Sequence, residues 1–200
     1  TLSPVTVRRI AAATARRGAA FLDAPVSGSV DAARHGTLVL LVGGDADALE
    51  RARPTLERLG RSVVHLGDSG QGALAKLLVN GVLHALNQSV AEALALAEAG
   101  GLEAATFYDV LASSAAGAPM LGYRRAQYLD PGAPVSFALR LAAKDVALLL
   151  AEAERAGTPA PQARLVLEQL QEAVQAGYGE DDMAALARHL GSSGQGGEAS

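Results

Sequence analysis

A long apolar stretch that opens at a glycine-rich turn constrains the fold of this chain more than any other feature. The turn spans residues 67–72 (Gly-Asp-Ser-Gly-Gln-Gly), and a helical pattern follows it to residue 99. On a helical wheel at about 100° per residue, Asn80, His84 and Asn87 fall on the same side as Lys76. An apolar arc beside them contains Val79, Val82, Leu83, Leu86, Val90 and Ala93. So narrow a polar stripe indicates a cleft wall, although an ordinary solvated face has the same periodicity.

Two residues of this stripe are candidates for chemistry. Lys76 and Asn80 are four residues apart, so their side chains are neighbours on a helix and can converge on one ligand. The glycine turn places backbone N–H groups and the positive end of the helix dipole nearby, which favours an anion such as a substrate carboxylate. The glycine pattern is weak by itself, because it lacks the Gly-Lys-Ser/Thr ending of a P-loop.

Composition excludes several classes of protein. The net charge is −4 and the pI is near 5.5, with no basic patch that contains aromatic residues, so we expect no nucleic-acid partner. Cysteine is absent, which excludes disulfides, thiol catalysis and cysteine-based zinc sites. The four histidines lack ligand-like spacing, so no metal site is predicted. Charged residues interrupt the apolar stretch at 138–151, so we expect no membrane span and a cytoplasmic protein.

The order of elements predicts an α/β layer followed by an all-helical part. Before residue 69 the pattern indicates a helix to about residue 17, strands at 20–25, 37–43 and 62–66, a short helix or turn at 31–35 and a helix at 46–59. Helices are then predicted near 72–99, 103–113, 120–128, 137–156, 161–176 and 180–190. We therefore predict an α/β part over 1–68, a helical domain over 69–190 and a disordered tail over 191–200. Three strands make a thin sheet, and the chain begins at Thr1 rather than Met, so further strands are expected before it.

Four segments resemble the motifs of one family. Residues 1–4 resemble that family's Ser/Thr-x-x-Pro turn, and residues 23–29 resemble its Asp-Ala-Pro-Val-Ser-Gly-Gly substrate loop. The Gly-x-Gly…Lys-x-x-x-Asn helix resembles residues 70–80, and the Phe-x-Leu…Lys-Asp segment resembles residues 137–145. Order and spacing also match, so the chain resembles the β-hydroxyacid dehydrogenases, the group of 3-hydroxyisobutyrate dehydrogenase and tartronate semialdehyde reductase.

The resemblance implies a Rossmann domain that binds NAD or NADP, joined by a long helix to a 6-phosphogluconate-dehydrogenase-like helical domain that forms a dimer or dimer-based oligomer. It implies that Lys76 is the catalytic lysine and that Asn80 positions the substrate. Residues Ser27, Gly28 and Ser29 would hold the substrate carboxylate, and Thr1 and Lys144 would contact the cofactor near its nicotinamide end.

Three departures from the family pattern are visible. Ser29 replaces the second glycine of the substrate loop, and Val79 stands where many members have another asparagine. The Gly-x-Gly-x-x-Gly dinucleotide loop is absent from these residues. We therefore expect these 200 residues alone to bind NAD(P) weakly or not at all and to lack dehydrogenase activity. The apolar length of residues 72–190 predicts that they form a helical dimer.

Physical chemistry agrees with the role of Lys76. Oxidation of an alcohol by hydride transfer requires removal of the hydroxyl proton. A lysine can accept that proton if its pKa falls from about 10.4 towards 7–8, and desolvation in a half-buried site lowers it in this direction. We expect Asp23 to cap or orient the Ser27 loop and Asp145 to form an ion pair on the helix surface.

The sequence therefore predicts an oxidoreductase that interconverts a small β-hydroxy acid and its semialdehyde or oxo acid. A related imine or semialdehyde reductase is an alternative, although the imine reductases usually lack this lysine. A non-catalytic helical dimerisation module is an alternative of another class. The substrate itself, and the choice between NAD and NADP, are not readable from these residues.

Overall fold

The computed structural model describes residues 1–195, which form two compact units. The first unit contains Thr1–Asn80 and Leu148–Pro159. The second contains Gly81–Ala147 and the described residues from Ala160 onward. The packing therefore places residues 69–80 with the α/β part, whereas the boundary predicted at 68/69 separates them from it.

The first unit holds a small four-stranded sheet and its helices. The elements are α1 (Pro4–Ala15), β1 (Leu22–Asp23), β2 (Val26–Ser27), α2 (Val30–Arg34), β3 (Leu38–Gly44), α3 (Ala46–Leu56) and β4 (Gly60–His65). Strand β3 is central, because it pairs antiparallel with β1 and β2 and parallel with β4. Its residues Leu40 and Val42 form the core of the unit with Leu49 of α3.

The strand predicted at 20–25 is divided into β1 and β2. Both pieces pair with β3 in one continuous register, Leu22 opposite Gly44 and Ser27 opposite Val39. Pro25 lies between them and has no N–H to donate to the sheet, although its carbonyl accepts from Leu41 N at 2.9 Å. One interrupted strand therefore leads directly into the loop that follows Ser27.

Helices make up the rest of the described chain. They are α4 (Gln71–Ala99), α5 (Ala104–Ser113), α6 (Pro119–Leu129), α7 (Leu139–Ala156), α8 (Pro161–Ala173) and α9 (Leu186–Gln195). Helices α4 and α7 each contribute residues to both units. The core of the second unit includes Tyr108, Leu139 and Met183, all fully buried. None of the described helices combines the length and the apolar character that crossing a membrane requires.

The end of the chain differs from the prediction. A π-helical turn, Val174–Tyr178, follows α8, and Gly177 within it has φ of 99°. Helix α9 continues to Gln195, so residues 191–195 are helical where a disordered tail was predicted. Its first two residues, Leu186 and Ala187, are buried, and packing of this kind can outweigh the low helix propensity of glycine further along. Residues 196–200 of the predicted tail lie outside the described residues.

Candidate active site

The candidate site is arranged around the first turns of α4. Gly70 has φ of 99° in the turn that precedes the helix. A Cβ on Gly72 would lie 2.3 Å from the carbonyl oxygen of Leu41, so only glycine allows the helix to approach β3 this closely. The glycine-rich turn therefore allows α4 to pack closely against the sheet.

A protein carboxylate occupies the N-terminus of α4. Asp23 is 6% exposed, and its Oδ1 accepts from Gly70 N at 2.8 Å while its Oδ2 accepts from Ala73 N at 2.8 Å. The prediction that this helix end attracts a substrate carboxylate is therefore wrong, because the carboxylate of Asp23 already lies there and accepts from two of its N–H groups. The expectation that Asp23 caps or orients the Ser27 loop is corrected in the same way, because its carboxylate caps α4.

Lys76 and Asn80 follow in the next two turns. Lys76 is half-buried and Asn80 is buried, and both belong to the first unit together with residues 27–29. A partly desolvated ammonium beside an amide one turn away matches the environment that proton transfer to a bound alcohol requires.

The polar stripe of α4 lies on a buried face. Asn80, His84 and Asn87 are all buried, whereas Val82 from the apolar arc is 73% exposed. Asn87 belongs to the core of the second unit, where Tyr128 Oη donates to its Oδ1 at 2.7 Å and its Nδ2 donates to the carbonyl of Met183 at 3.1 Å. The stripe is thus not a solvated face, and Asn87 is explained by these structural hydrogen bonds.

The loop after β2 has a special backbone at one position. Gly28 has φ of 147°, and a Cβ there would lie 2.8 Å from Leu38 Cδ2. Ser29, which replaces a family glycine, caps α2: its Oγ accepts from Ala32 N at 3.1 Å. The hydroxyl of Ser29 therefore serves the local fold, and a carboxylate contact in this loop would come from Ser27 or from the backbone.

The two residues assigned to the cofactor lie in different units. Thr1 is exposed and precedes Ser3, whose Oγ caps α1 by accepting from Thr6 N at 3.1 Å. Lys144 Nζ lies 2.6 Å from Asp145 Oδ1. The Asp145 side chain is fully buried, so the prediction of a surface position is wrong, although the ion pair itself is present.

A third glycine segment, Gly43-Gly44, leads into α3. Asp45 caps that helix, with its Oδ1 accepting from Ala48 N at 2.8 Å. Like α4, helix α3 therefore directs its first N–H groups at the protein's own carboxylate rather than at a phosphate. Within residues 1–195, no group of three or more His, Asp or Glu side chains could hold a metal ion.

Sequence reasoning missed a buried ion pair between Arg124 of α6 and Asp182. The Asp182 carboxylate also accepts from the backbone N–H groups of Ser136, Phe137 and Ala184 at 2.9–3.1 Å. Burial raises the pKa of Asp182, but the Ala184 N–H, the Arg124 charge and the other two N–H groups outweigh it and hold that pKa below its ordinary value. The signal was present in the four-residue spacing of Met120, Arg124 and Tyr128 along the buried face of α6.

A second missed signal lies in the basic residues. The chain contains 17 lysines and arginines, and lysine stands only at positions 76 and 144. Both are residues that the motifs had singled out. Arginine stands at the other fifteen of these positions, and it forms ion pairs with aspartate and glutamate in both units.

Comparisons with known proteins match both parts of the chain. Residues 1–67 match the family model described as the NAD binding domain of 6-phosphogluconate dehydrogenase. Residues 70–190 match the family model described as NAD-binding of NADP-dependent 3-hydroxyisobutyrate dehydrogenase.

Two curated relatives come from Pseudomonas aeruginosa. The chain is similar to a 3-hydroxyisobutyrate dehydrogenase (44% identity over 168 residues, 80% of this chain and 56% of the relative). It is also similar to an NAD-dependent L-serine dehydrogenase (38% identity over 193 residues, 93% of this chain and 65% of the relative). The chain therefore spans less than two thirds of the length of either relative.

Among solved structures, the fold matches a 3-hydroxyisobutyrate dehydrogenase from Salmonella typhimurium. The TM-score is 0.89 at 29% identity, and the match covers 94% of this chain and 67% of the other. The succession of an NAD-binding type of sheet and a helical part is therefore confirmed, as the motifs implied.

Proposed function

The chain belongs to the β-hydroxyacid dehydrogenase family, and on that premise we propose that it supplies the substrate-binding and proton-transfer residues of an NAD(P)-dependent oxidoreductase. The reaction interconverts a small β-hydroxy acid and its semialdehyde or oxo acid. The observation that carries the proposal is the half-buried Lys76 one helical turn before the buried Asn80, in the same unit as the Ser27–Gly28–Ser29 loop.

Lys76 is the general acid and base of the proposal. In the oxidation, the neutral amine accepts the proton of the substrate hydroxyl while the carbinol carbon loses a hydride, and in the reduction the ammonium returns the proton. The choice of lysine fits this role, because the guanidinium of arginine is not deprotonated in proteins. A chain that uses arginine at its other basic positions therefore has a chemical reason for lysine at position 76.

Asn80 positions the substrate hydroxyl. Its amide donates and accepts hydrogen bonds but does not titrate, so it orients the substrate without competing for the proton. Its burial restricts the side chain, which favours a single orientation towards a ligand beside Lys76.

The loop of residues 27–29 holds the substrate carboxylate in this proposal. Glycine at position 28 leaves the backbone exposed to close approach, and backbone N–H groups suit a carboxylate. The two relatives from Pseudomonas aeruginosa are named for 3-hydroxyisobutyrate and L-serine, which are both 3-hydroxypropanoates with one substituent on C2. We therefore propose that class of substrate.

The cofactor is NAD or NADP, and it supplies the hydride acceptor when bound. The residues proposed for its nicotinamide end are Thr1 and Lys144. Its diphosphate does not fit the N-termini of α3 and α4, because Asp45 and Asp23 cap them. A dimer and a cytoplasmic location stay predictions.

The test is turnover by the native protein, followed through the absorbance of the reduced nicotinamide. We expect oxidation of 3-hydroxyisobutyrate or L-serine with NAD or NADP, reduction of the matching semialdehyde with the reduced cofactor, and loss of activity on the methyl esters, which lack the carboxylate charge. Equal activity on acid and ester would contradict the carboxylate loop. No turnover in either direction would favour the non-catalytic dimerisation module, and preference for an imine would favour the imine reductase.

A further inference from the structure

Asp23 joins two parts of the proposed active site that are far apart in the sequence. Its carboxylate bonds to Gly70 N and Ala73 N, 47 and 50 residues away. It stands in β1, on the interrupted strand that leads four residues later to Ser27. One buried side chain therefore connects the proposed carboxylate loop to the helix that carries Lys76.

The surrounding backbone is shaped to admit this carboxylate. A Cβ on Gly43, the partner of Asp23 in the sheet, would lie 2.6 Å from Asp23 Oδ1. A Cβ on Gly72 would lie 2.9 Å from Asp23 Oδ2. Two glycines from different elements thus leave room for one side chain, and any larger residue at either position would displace it.

An ordinary helix cap does not require a side chain from a distant part of the sequence. Asp45 caps α3 from the position directly before the helix, with a local bond to Ala48 N. Before α4, Asp68 and Ser69 could offer a local cap of the same kind. The N–H groups of Gly70 and Ala73 nevertheless donate to Asp23. The cap of α4 therefore comes from the strand of the substrate loop.

We propose that Asp23 is a positioning residue that fixes Lys76 relative to the Ser27–Gly28–Ser29 loop. Lys76 lies only about 4.5 Å further along the helix axis than Ala73, and Ser27 at most about 13 Å along the strand from Asp23. A shift of the first turn of α4 would therefore move the Lys76 amine while leaving its chemistry intact. The inference rests on the proposed function, because the position of Lys76 relative to the loop matters for activity only if both act on one substrate.

The test compares Asp23→Asn with Asp45→Asn in the native protein. Both changes are isosteric and remove the charge of one helix cap in the first unit, but only α4 carries site residues. Reductive methylation reports on the environment of the Lys76 amine. Lys144 is the other lysine of these 200 residues and serves as the internal reference, because peptide mass spectrometry separates the two. Both variants are measured at a temperature where circular dichroism shows them folded.

We expect Asp23→Asn to change the ratio of Lys76 to Lys144 labelling severalfold and to lower kcat by about 10–100-fold, since small misplacements of reacting groups cost factors of this size. Asp45→Asn should change neither quantity. If Asp23→Asn does not fold, Asp23→Ser, which keeps one acceptor oxygen and adds no bulk, carries the same comparison.

A labelling ratio that is unchanged by the Asp23 variants, or changed equally by Asp45→Asn, would overturn the inference. The labelling experiment does not require turnover. If the wild-type protein oxidises no hydroxy acid while Asp23→Asn still alters Lys76 labelling, the proposed function fails and the positioning role stands.

Discussion

At the scale of single residues, the two lysines are the most informative side chains of the chain. Lysine and arginine carry the same charge, and arginine serves at every other basic position. The amine of lysine can lose its proton in a partly desolvated site, which the guanidinium cannot do. The difference matters only where a proton is transferred or a compact cation is required, so it points to positions 76 and 144.

Lys76→Arg tests proton transfer with the charge preserved. We expect kcat in the native protein to fall by about 10²–10⁴-fold, the usual contribution of a general acid or base, while the Kd for NAD(P) stays unchanged. The matched control is Arg164→Lys, the reverse exchange on the exposed face of α8, which should leave kcat unchanged. A Lys76→Arg variant with wild-type kcat would remove Lys76 from the mechanism.

Gly28 is a second position where one residue determines a property of the site. Its φ of 147° strains any side chain, and a Cβ there would also lie 3.0 Å from Ala32 Cβ, so we expect a substitution to shift the backbone. We expect Gly28→Ala to raise KM for a hydroxy acid far more than KM for its methyl ester, because the shift disturbs the carboxylate contacts. Steady-state kinetics on the acid and the ester measure the difference.

The control for Gly28→Ala is Gly18→Ala. Gly18 also has a positive φ, 70°, but a Cβ there would meet nothing within 4 Å. The Gly18→Ala substitution therefore introduces backbone strain in the first unit without disturbing the loop of residues 27–29. Equal KM changes for acid and ester in Gly28→Ala would show that the loop does not recognise the charge.

At the scale of elements, the beginning of α7 depends on one buried carboxylate. Asp182 accepts from the backbone of Ser136 and Phe137, just before α7, and pairs with Arg124 of α6. The segment that leads to Lys144 is therefore held by contacts 45 and 46 residues distant in the chain. Such a network stabilises a fold while the carboxylate and the guanidinium stay ionised and every buried polar group has a partner.

Asp182→Asn should lower the free energy of unfolding by about 3–5 kcal/mol at pH 7, because it leaves the buried Arg124 charge without its partner. The lowered pKa of Asp182 makes its contribution fully present above the ordinary aspartate pKa of about 3.9 and lost as the pH falls through the lower folded-state pKa. Urea unfolding of the wild-type protein and of Asp182→Asn from pH 7 to pH 2 measures this contribution. The free energies of unfolding of the two proteins should converge at low pH.

The matched control is Asp109→Asn. Asp109 also forms an ion pair with an arginine, Arg125, and its hydrogen bond to that residue lowers its pKa. That pair is exposed to solvent, so its removal should change the stability little at any pH. A loss for Asp109→Asn as large as that for Asp182→Asn would show that burial is not the cause.

At the scale of the whole molecule, the exposed residues of α4 support the predicted dimer. Val82 and Leu96 are 73% and 75% exposed, and their spacing of fourteen residues places them on the same face of the helix. Large apolar side chains repeated along one helix face are typical of a surface that pairs with another chain. The occupant that we expect is a second copy of this chain.

Sedimentation velocity tests the dimer. We expect the wild-type chain to sediment as a dimer and the double variant Val82→Glu/Leu96→Glu to sediment as a monomer, because two charges on the paired face would be desolvated. Leu165→Glu, the same change at an exposed leucine of α8, is the control and should remain dimeric. A wild-type monomer at micromolar concentration would contradict the prediction.

Much of this protein could be predicted from the sequence because the signals are local. Ser3 and Pro4 begin α1, Pro25 interrupts a strand, and the change from short strands to long apolar repeats marks the change from sheet to helices. The motifs around Lys76 and Asn80 likewise depend on spacing along one helix. These properties require only neighbouring residues, so the order of elements and the family were determined by the sequence alone.

Only the tertiary structure decided which groups meet across the chain. The periodicity of α4 could not show that its polar stripe is buried while Val82 is exposed, because burial depends on the elements that pack against the helix. Nothing local assigned Asp23 to the N–H groups of Gly70 and Ala73, or Asp182 to Arg124. A buried carboxylate must find donors wherever the fold places them, and here Gly70, Ala73 and Arg124 lie 47, 50 and 58 residues from the carboxylates to which they donate.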